Sequence, residues 1–398
     1  MPEQRATREQ AIDLRLALRT ALSVSGHSGR LLICLREAEA LAEALADSRR
    51  LGQVSQFLSH YFYTRGAYDQ ALAAAQRAVV LAAADGDGIG QALANQYLGR
   101  AYECQGDYRR AIDCFRQTVV CLDGVRRREH FGHFFLPAVM SRAYLATCHA
   151  ELGAFAEGTA FGEEGLRLAE VVNHHGSLIV ALWGLGLLAL RQGDLSRALP
   201  RLERAVGLCH EADVPVLFPW MAATLGAAYT LSGRVTDTVT LLTQQATEQA
   251  TVMERGDFQA LCGLSLGEVQ VLAGCLEEAH ALAEGVLAHA RAHQERGHQA
   301  YAMRLLGDIA ARREPLEIAQ AEAHYQQALT LAEERGMRPL QAHCHHGLGT
   351  LYAKTGQREQ ARTELVAAID LYRAMDMTFW LPQTEAALVQ ADAARDTS

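Results

Sequence analysis

LGRAYECQGDYRRAIDCF, residues 98–115, holds one full copy of a pattern that recurs along the chain. Gly106 stands at its centre, with Tyr102 four residues before it, Gly99 seven before and Ala111 five after. Gly66, Gly153, Gly193, Gly233, Gly274 and Gly356 take the same place in other copies, at a period near 40 residues. A small residue follows five later at Ala71, Gly158, Ala198, Ala279 and Ala361, and another twelve later at Ala78, Gly165, Ala205 and Ala368. A fixed period in this range means stacked units, each packing on its neighbours, rather than one globular core.

The unit from Ala92 to Leu122 reads as two antiparallel helices. Leu93, Tyr97, Ala101 and Tyr102 form the buried stripe of the first, and Ala111, Ile112, Phe115 and Val119 that of the second. Gly106 ends the first helix, because glycine reaches the left-handed conformation at low cost. Asp107 is placed to cap the second through its carboxylate, and Gly193–Asp194 repeats the pair. Gly99, Gly186, Gly226, Gly267, Gly307 and Gly349 are expected where two helix backbones approach closely, a place that a large side chain would spoil.

These units predict an all-α solenoid of about nine antiparallel helix pairs with a C-terminal capping helix. One solenoid is expected over residues 1–398. Residues 1–48 form a degenerate first pair, to which Gly26 and Ala38 extend the register, and 49–123 are regular repeats. The Gly106–Gly153 interval exceeds the others by about seven residues, so 124–136 is an inserted connector. It carries Arg126, Arg127 and Arg128, followed by Phe131, Phe134 and Phe135. Regular repeats resume over 137–375, and 376–398 is the capping helix and tail, with the helix expected from Phe379. Leu81 to Gly90 and Asn173 to Ser177 read as connectors between units.

Composition narrows the function classes. A net charge of −9 argues against a general nucleic-acid role. Apolar runs such as Leu178–Leu190 are too short and too glycine-rich to span a membrane, and the polar start MPEQRATREQ has no apolar signal region. Nine cysteines are scattered without a CxxC pair, which fits buried thiols in a reducing, cytoplasmic setting. Lys354 is the only lysine, which removes many enzyme mechanisms.

Motifs for catalysis are missing. Lys354–Thr355 lacks the glycine spacing of a phosphate-binding loop, and neither G-x-S-x-G nor H-E-x-x-H occurs. His289 and His293 share a helix face with Glu295 and His298 nearby, but a solvated helix end accounts for them better than a metal. His343, His345 and His346 around Cys344 point in different directions. The expectation is no enzyme, no cofactor and no metal.

LGRAYECQGDYRRAIDCF, LGAAYTLSGR and LGTLYAKTGQREQA resemble the tetratricopeptide repeat, whose units stack into a right-handed superhelix. LREAEALAEALAD, GDLSRALPRLERAVGLC, QAEAHYQQALTLAEERGMRPL and YRAMDMTFWL further resemble the C-terminal repeat region of large bacterial signalling proteins. In those, a class III adenylate/guanylate cyclase domain and a nucleotide-binding ATPase module precede the repeats. Neither module is in this chain, so no catalytic residue carries over. The resemblance implies a sensing or docking role, with a cyclase or ATPase module among the partners.

In tetratricopeptide superhelices the first helix of each pair lines the concave face. Positions three before, one after and four after the close-packing site then give Gln56, His60 and Tyr63; Gln96, Arg100 and Glu103; Trp183, Leu187 and Leu190; Arg304 and Asp308; and His346. That lining is polar towards the N-terminus and apolar around Trp183, which suits an extended protein or peptide segment with a hydrophobic anchor. Arg126, Arg127 and Arg128 form a secondary contact for an acidic partner. A small-molecule effector closed in near Trp183 is the alternative, and the sequence sets no oligomeric state.

Overall fold

A computed structural model describes residues 2–24, 28–242 and 256–393. Gly26 of the expected first repeat lies outside them. Nineteen α-helices occur among the described residues and wind into a right-handed superhelix. The first pairs are α1 (Pro2–Val24) with α2 (Ser28–Leu45), α3 (Ser48–Thr64) with α4 (Tyr68–Ala84), and α5 (Gly88–Cys104) with α6 (Tyr108–Cys121). Then come α7 (Pro137–Glu151) with α8 (Phe155–Val172), and α9 (His175–Gln192) with α10 (Leu195–Glu211). Next are α11 (Phe218–Leu231) with α12 (Val235–Leu241), and α13 (Gln259–Leu272) with α14 (Leu276–Ala292). The last are α15 (Arg296–Ala310) with α16 (Ile318–Arg335), α17 (Arg338–Lys354) with α18 (Arg358–Ala374), and the single α19 (Leu381–Ala393).

The turns follow the sequence pattern. Gly106 has φ +74° and Gly193 φ +85°, the left-handed geometry a helix needs to stop and reverse. Asp107 accepts from the Arg110 amide at 3.3 Å and Asp194 from the Arg197 amide at 3.1 Å, so each satisfies a donor that its helix leaves open.

Three local expectations are corrected. The helices run further than foreseen, so the connectors shrink to residues 85–87 and 173–174. The final helix starts at Leu381, while Phe379 and Trp380 pack over the turn at Gly193. Among Gly99, Gly186, Gly226, Gly307 and Gly349 of the first helices, Gly349 alone brings a partner backbone close, the Leu365 nitrogen lying 3.0 Å from where a β-carbon would sit. Each makes room for one large side chain, usually from the paired helix: Phe115 at Gly99, Leu202 at Gly186, Leu242 at Gly226, Tyr325 at Gly307 and Leu365 at Gly349. A β-carbon at Gly186 would sit 2.6 Å from Leu202 Cδ2. The gap therefore holds a knob, and filling it displaces that knob.

First and second helices differ in burial for a simple reason. α10 buries only Ala198, Leu202, Ala205 and Cys209, one stripe of an amphipathic helix. α9 is buried continuously from Gly176 to Leu190, and α7 along its whole length. They are covered on both sides because the superhelix closes on itself after about five helix pairs.

Closure is visible as a seam between successive rounds. His293 Nδ1 lies 2.8 Å from the Gly66 carbonyl, and the Tyr68 hydroxyl donates to Glu295 at 2.9 Å, both across 227 residues. Glu295 is buried and also sits 2.7 Å from His298 Nδ1 and 3.5 Å from His289 Nε2. Burial works against its charge, yet the nearby His289 imidazole and the hydrogen bond with His298 hold its carboxyl below the ordinary range. Further along, Ala146, Ala150, Phe155 and Leu188 pack on Tyr372, Met375 and Met377.

Candidate functional site

Among the described residues the concave face holds a cavity towards each end and a small one at the centre, which shares lining residues with one end and none with the other. The first cavity, about 530 Å³, includes Gln56, Phe57, Leu93, Asp85 and Asp87. Gln56 donates to the Gly90 carbonyl at 3.0 Å. The inserted connector supplies the lid of this cavity: His133 lies against Phe57 and places Nδ1 2.8 Å from the Tyr97 hydroxyl. Burial, with Arg19 nearby, pushes the His133 imidazole down to about 3, so it sits there neutral. The Arg19 guanidinium lies 3.6 Å over the Phe57 ring and donates to the Gly132 carbonyl. Phe135 and Phe134 of the connector lie against Gly176, Phe134 with its ring still exposed. Arg126, Arg127 and Arg128 sit on a short 3-10 turn, Gly124–Arg128, and none of the three lines this cavity.

Side chains expected in the groove form a wall between this cavity and the centre. His60 stacks on Tyr63 and meets Tyr97 edge-on. Arg100 lies 3.9 Å over the Tyr63 ring and 5.4 Å from that of Tyr144, buried as a cation on aromatic faces. Gln96 is buried beside them, its carbonyl oxygen without a protein partner.

Tyr63, Glu103, Trp183 and Leu187 meet at the centre, around a cavity of about 70 Å³. Trp183 is buried, its indole N–H donating to Thr224 at 3.1 Å and its ring centre 4.0 Å from that of Trp220. Trp183, Leu187, Trp220, Phe258 and Leu261 give this cavity the apolar lining expected of the middle, but charged groups share it. Glu151 and Arg191 come from α7 and α9 of the same round, and His298 and Tyr301 face them from α15 of the next. Glu151 accepts from Arg191 at 2.8 Å and from Tyr301 at 2.7 Å. Burial raises the Glu103 carboxyl to about 7, against the attraction of His298 and Arg100.

A second end cavity, about 450 Å³, shares Arg191 and Tyr301 with the centre. Arg304 pairs there with Asp308 and Glu268, and Asp308 also accepts from Tyr325 at 2.7 Å. Leu190, Leu231, Leu272 and Trp380 supply its apolar wall. His346 does not line it. Its Nδ1 lies 3.0 Å from the Thr384 hydroxyl, so the capping helix covers the one expected groove residue of α17.

The facing wall was missed by the sequence reading, and part of it was readable. Trp220 and Tyr301 each stand six residues before a close-packing glycine, Gly226 and Gly307. On a helix that position shares the stripe of the three-before and one-after positions. Glu151 and His298 carry no such signal, because their places depend on the seam. No group of three or more His, Cys, Asp or Glu able to hold a metal occurs among the described residues. No helix among them is long and apolar enough to cross a membrane.

Three stretches match models of the tetratricopeptide repeat: residues 138–209, 98–124 and 342–375. Comparison with curated proteins returns no significant match. Among solved structures, the Rap conjugation gene regulator of the plasmid pLS20 in complex with the Phr* peptide is similar at TM-score 0.57 and 12% identity, over 92% of this chain and 97% of that one. A Rap protein complexed with Competence and Sporulation Factor matches at TM-score 0.53 and 14% identity, over 82% of this chain and 99% of that one. Aspartyl phosphate phosphatase F from Bacillus subtilis matches at TM-score 0.52 and 12% identity, over 82% and 95%. At such identities the likeness is one of fold.

Proposed function

We propose that this chain is a non-catalytic regulatory module of bacterial signal transduction, working in the cytoplasm as one solenoid. A protein or peptide segment docks in its axial channel. The supporting observation is the 450 Å³ mouth, where charged Arg304 and Asp308 adjoin an apolar wall and the cavity continues inward. Such a mixture fixes an extended segment by its backbone and by one or two anchors. The Phr* peptide complex of the similar Rap conjugation gene regulator fits this assignment. Within it, Gln56, His60, Tyr63, Gln96, Arg100, Glu103 and Trp183 shape the channel, Arg304 and Asp308 its mouth, and His346 the seat of the capping helix. Arg126, Arg127 and Arg128 offer a secondary contact for an acidic partner surface. Coupling to a cyclase or ATPase module is the narrower form of the proposal and rests on the resemblance in sequence.

Leu272 and Gln383 line the mouth and are exposed, so arginine at both blocks entry without touching the core. A peptide-display selection against the purified chain is expected to enrich segments that lose binding to the Leu272→Arg/Gln383→Arg variant, whose helix content by circular dichroism stays unchanged. Enrichment of none, or only of segments indifferent to the variant, removes the docking assignment. One observation favours a small effector instead: the channel is closed, not open, around Trp183 and Trp220. Thermal shift with small-molecule libraries and no peptide binding would mark that outcome.

A further inference from the structure

We infer that the central cavity binds an organic cation, an ammonium or guanidinium head group carried on an alkyl stem, against the Glu103 carboxylate. The inference deepens the docking proposal and rests on it only for the peptide as a source of that cation.

Glu103 lines the cavity with no cation within ion-pair distance among the described residues. Its hydrogen bond comes from the Cys104 thiol, at 3.5 Å. Every neighbouring cation is engaged elsewhere. Arg100, one turn back, covers the Tyr63 and Tyr144 rings. Arg191 is held by Glu151, and His298 by Glu295. A carboxylate drawn out of water without a counter-charge is costly, so this site favours whatever cation enters it.

The walls select the same chemistry. Trp183 and Trp220 line the space beside Tyr63 and Tyr301, whose rings already carry Arg100 and Arg191, and aromatic faces attract ammonium and guanidinium groups. An anion would meet both Glu103 and Glu151. A neutral apolar ligand would strand the carboxylate. About 70 Å³ is room for a few waters, which suits a head group with a short stem and excludes a nucleotide. Arg191 and Tyr301 also line the 450 Å³ mouth, so a head group in the centre can belong to a longer molecule seated there. A lysine or arginine side chain of a docked segment and a free alkylamine share this chemistry.

The groups facing Glu103 fix the direction of pH dependence. Arg100 and Cys104 lie on its own helix, Tyr108 on α6, Cys148 and Glu151 on α7, and Tyr301 and His298 on α15. Burial leaves the Glu103 carboxyl titrating at about 7. Burial opposes the charge of His298, but Glu295 raises its basicity above the ordinary range. Raising the pH therefore ionises Glu103 and discharges His298, and both changes favour a cation.

The test titrates butylammonium and agmatine, with butanol as the neutral control, into the full chain. Tryptophan fluorescence and calorimetry at pH 6 and pH 8 follow binding. Expected are saturable binding of an amine, tighter by about tenfold at pH 8, proton release near pH 7, and no response to butanol. Glu103→Gln, which keeps the shape, is expected to lose about tenfold in affinity together with the pH dependence. Equal binding of amine and butanol, or of wild type and Glu103→Gln, overturns the inference. For the peptide source, a mouth-binding segment with lysine is compared with its norleucine counterpart. Equal affinity of the two, with no free-amine response, overturns the inference and leaves docking standing. Amine binding with no peptide binding supports the inference and removes docking.

Discussion

The interior of each helix pair and the seam between superhelical rounds hold the molecule together by different means. Inside a pair, one glycine and one large apolar side chain interlock, and the arrangement repeats: Gly99 with Phe115, Gly186 with Leu202, Gly349 with Leu365. Across the seam, an apolar cluster of Phe155 and Leu188 on Tyr372 and Met375 is joined by polar contacts that occur once each, as at Tyr68–Glu295, His293–Gly66 and Tyr301–Glu151. Repetition makes the pair interior tolerant, because stability is spread over many similar interfaces. The seam concentrates closure in a few buried ionised groups, which are expensive to leave half-paired.

Removing the seam's central carboxylate should therefore have the largest effect. Glu295→Gln leaves His289, His298 and Tyr68 without their common acceptor charge, and a loss of about 3–5 kcal/mol is expected. Urea unfolding across pH separates this from a plain packing loss. Glu295 ionises more readily in the folded chain, so its contribution is full above its ordinary value of 4.5 and vanishes as pH falls towards the lowered folded value. His298 is raised when folded, so its contribution is full below its ordinary 6.5 and vanishes as pH climbs through the raised value. The difference between wild type and variant should peak between pH 4.5 and 6.5. A difference independent of pH would mean that the seam is held by packing, like the pairs.

The same contrast explains what the sequence disclosed. Pair interiors were legible because Gly99, Gly106 and Ala111 keep fixed offsets that a helix of constant pitch turns into one face. The near half of the channel was legible for the same reason, and Gln56, Tyr63, Glu103 and Trp183 do face inward. The far half was not. Glu151 meets Tyr301 across 150 residues, and such a meeting depends on accumulated superhelical rotation rather than on any local spacing. The closed centre follows from that rotation, which is why a groove apolar around Trp183 was expected and a small closed cavity with charged groups among its apolar walls was found.

A smaller effect is expected from overfilling one pair. Gly186→Leu forces aside Leu202, and about 1–3 kcal/mol should be lost. Leu202→Ala alone opens a hole. Combined with Gly186→Leu it should recover part of the loss, a coupling that a thermal-unfolding double-mutant cycle reads directly. Additive losses would show that the knob at Leu202 is not what the glycine accommodates. The seam offers no equivalent rescue, since no substitution elsewhere supplies the charge of Glu295.

The smallest effects should come from the helix caps, and they test whether local structure is independent of the seam. Asp107 and Asp194 cap α6 and α10 in the same way, each on the third amide. Their turns differ in surroundings: Gly297 of the next round abuts Gly106, while Phe379 and Trp380 cover Gly193. Because the lost interaction is one hydrogen bond within a single turn, alanine at either aspartate should cost about 1 kcal/mol. The two losses should agree within about 0.5 kcal/mol, since distant and unconnected sites behave independently. Chemical denaturation of the two variants side by side settles it. A loss several times larger for Asp194→Ala would mean that the turn under Trp380 owes its shape to the seam, and that the two modes of cohesion are coupled where the capping segment docks.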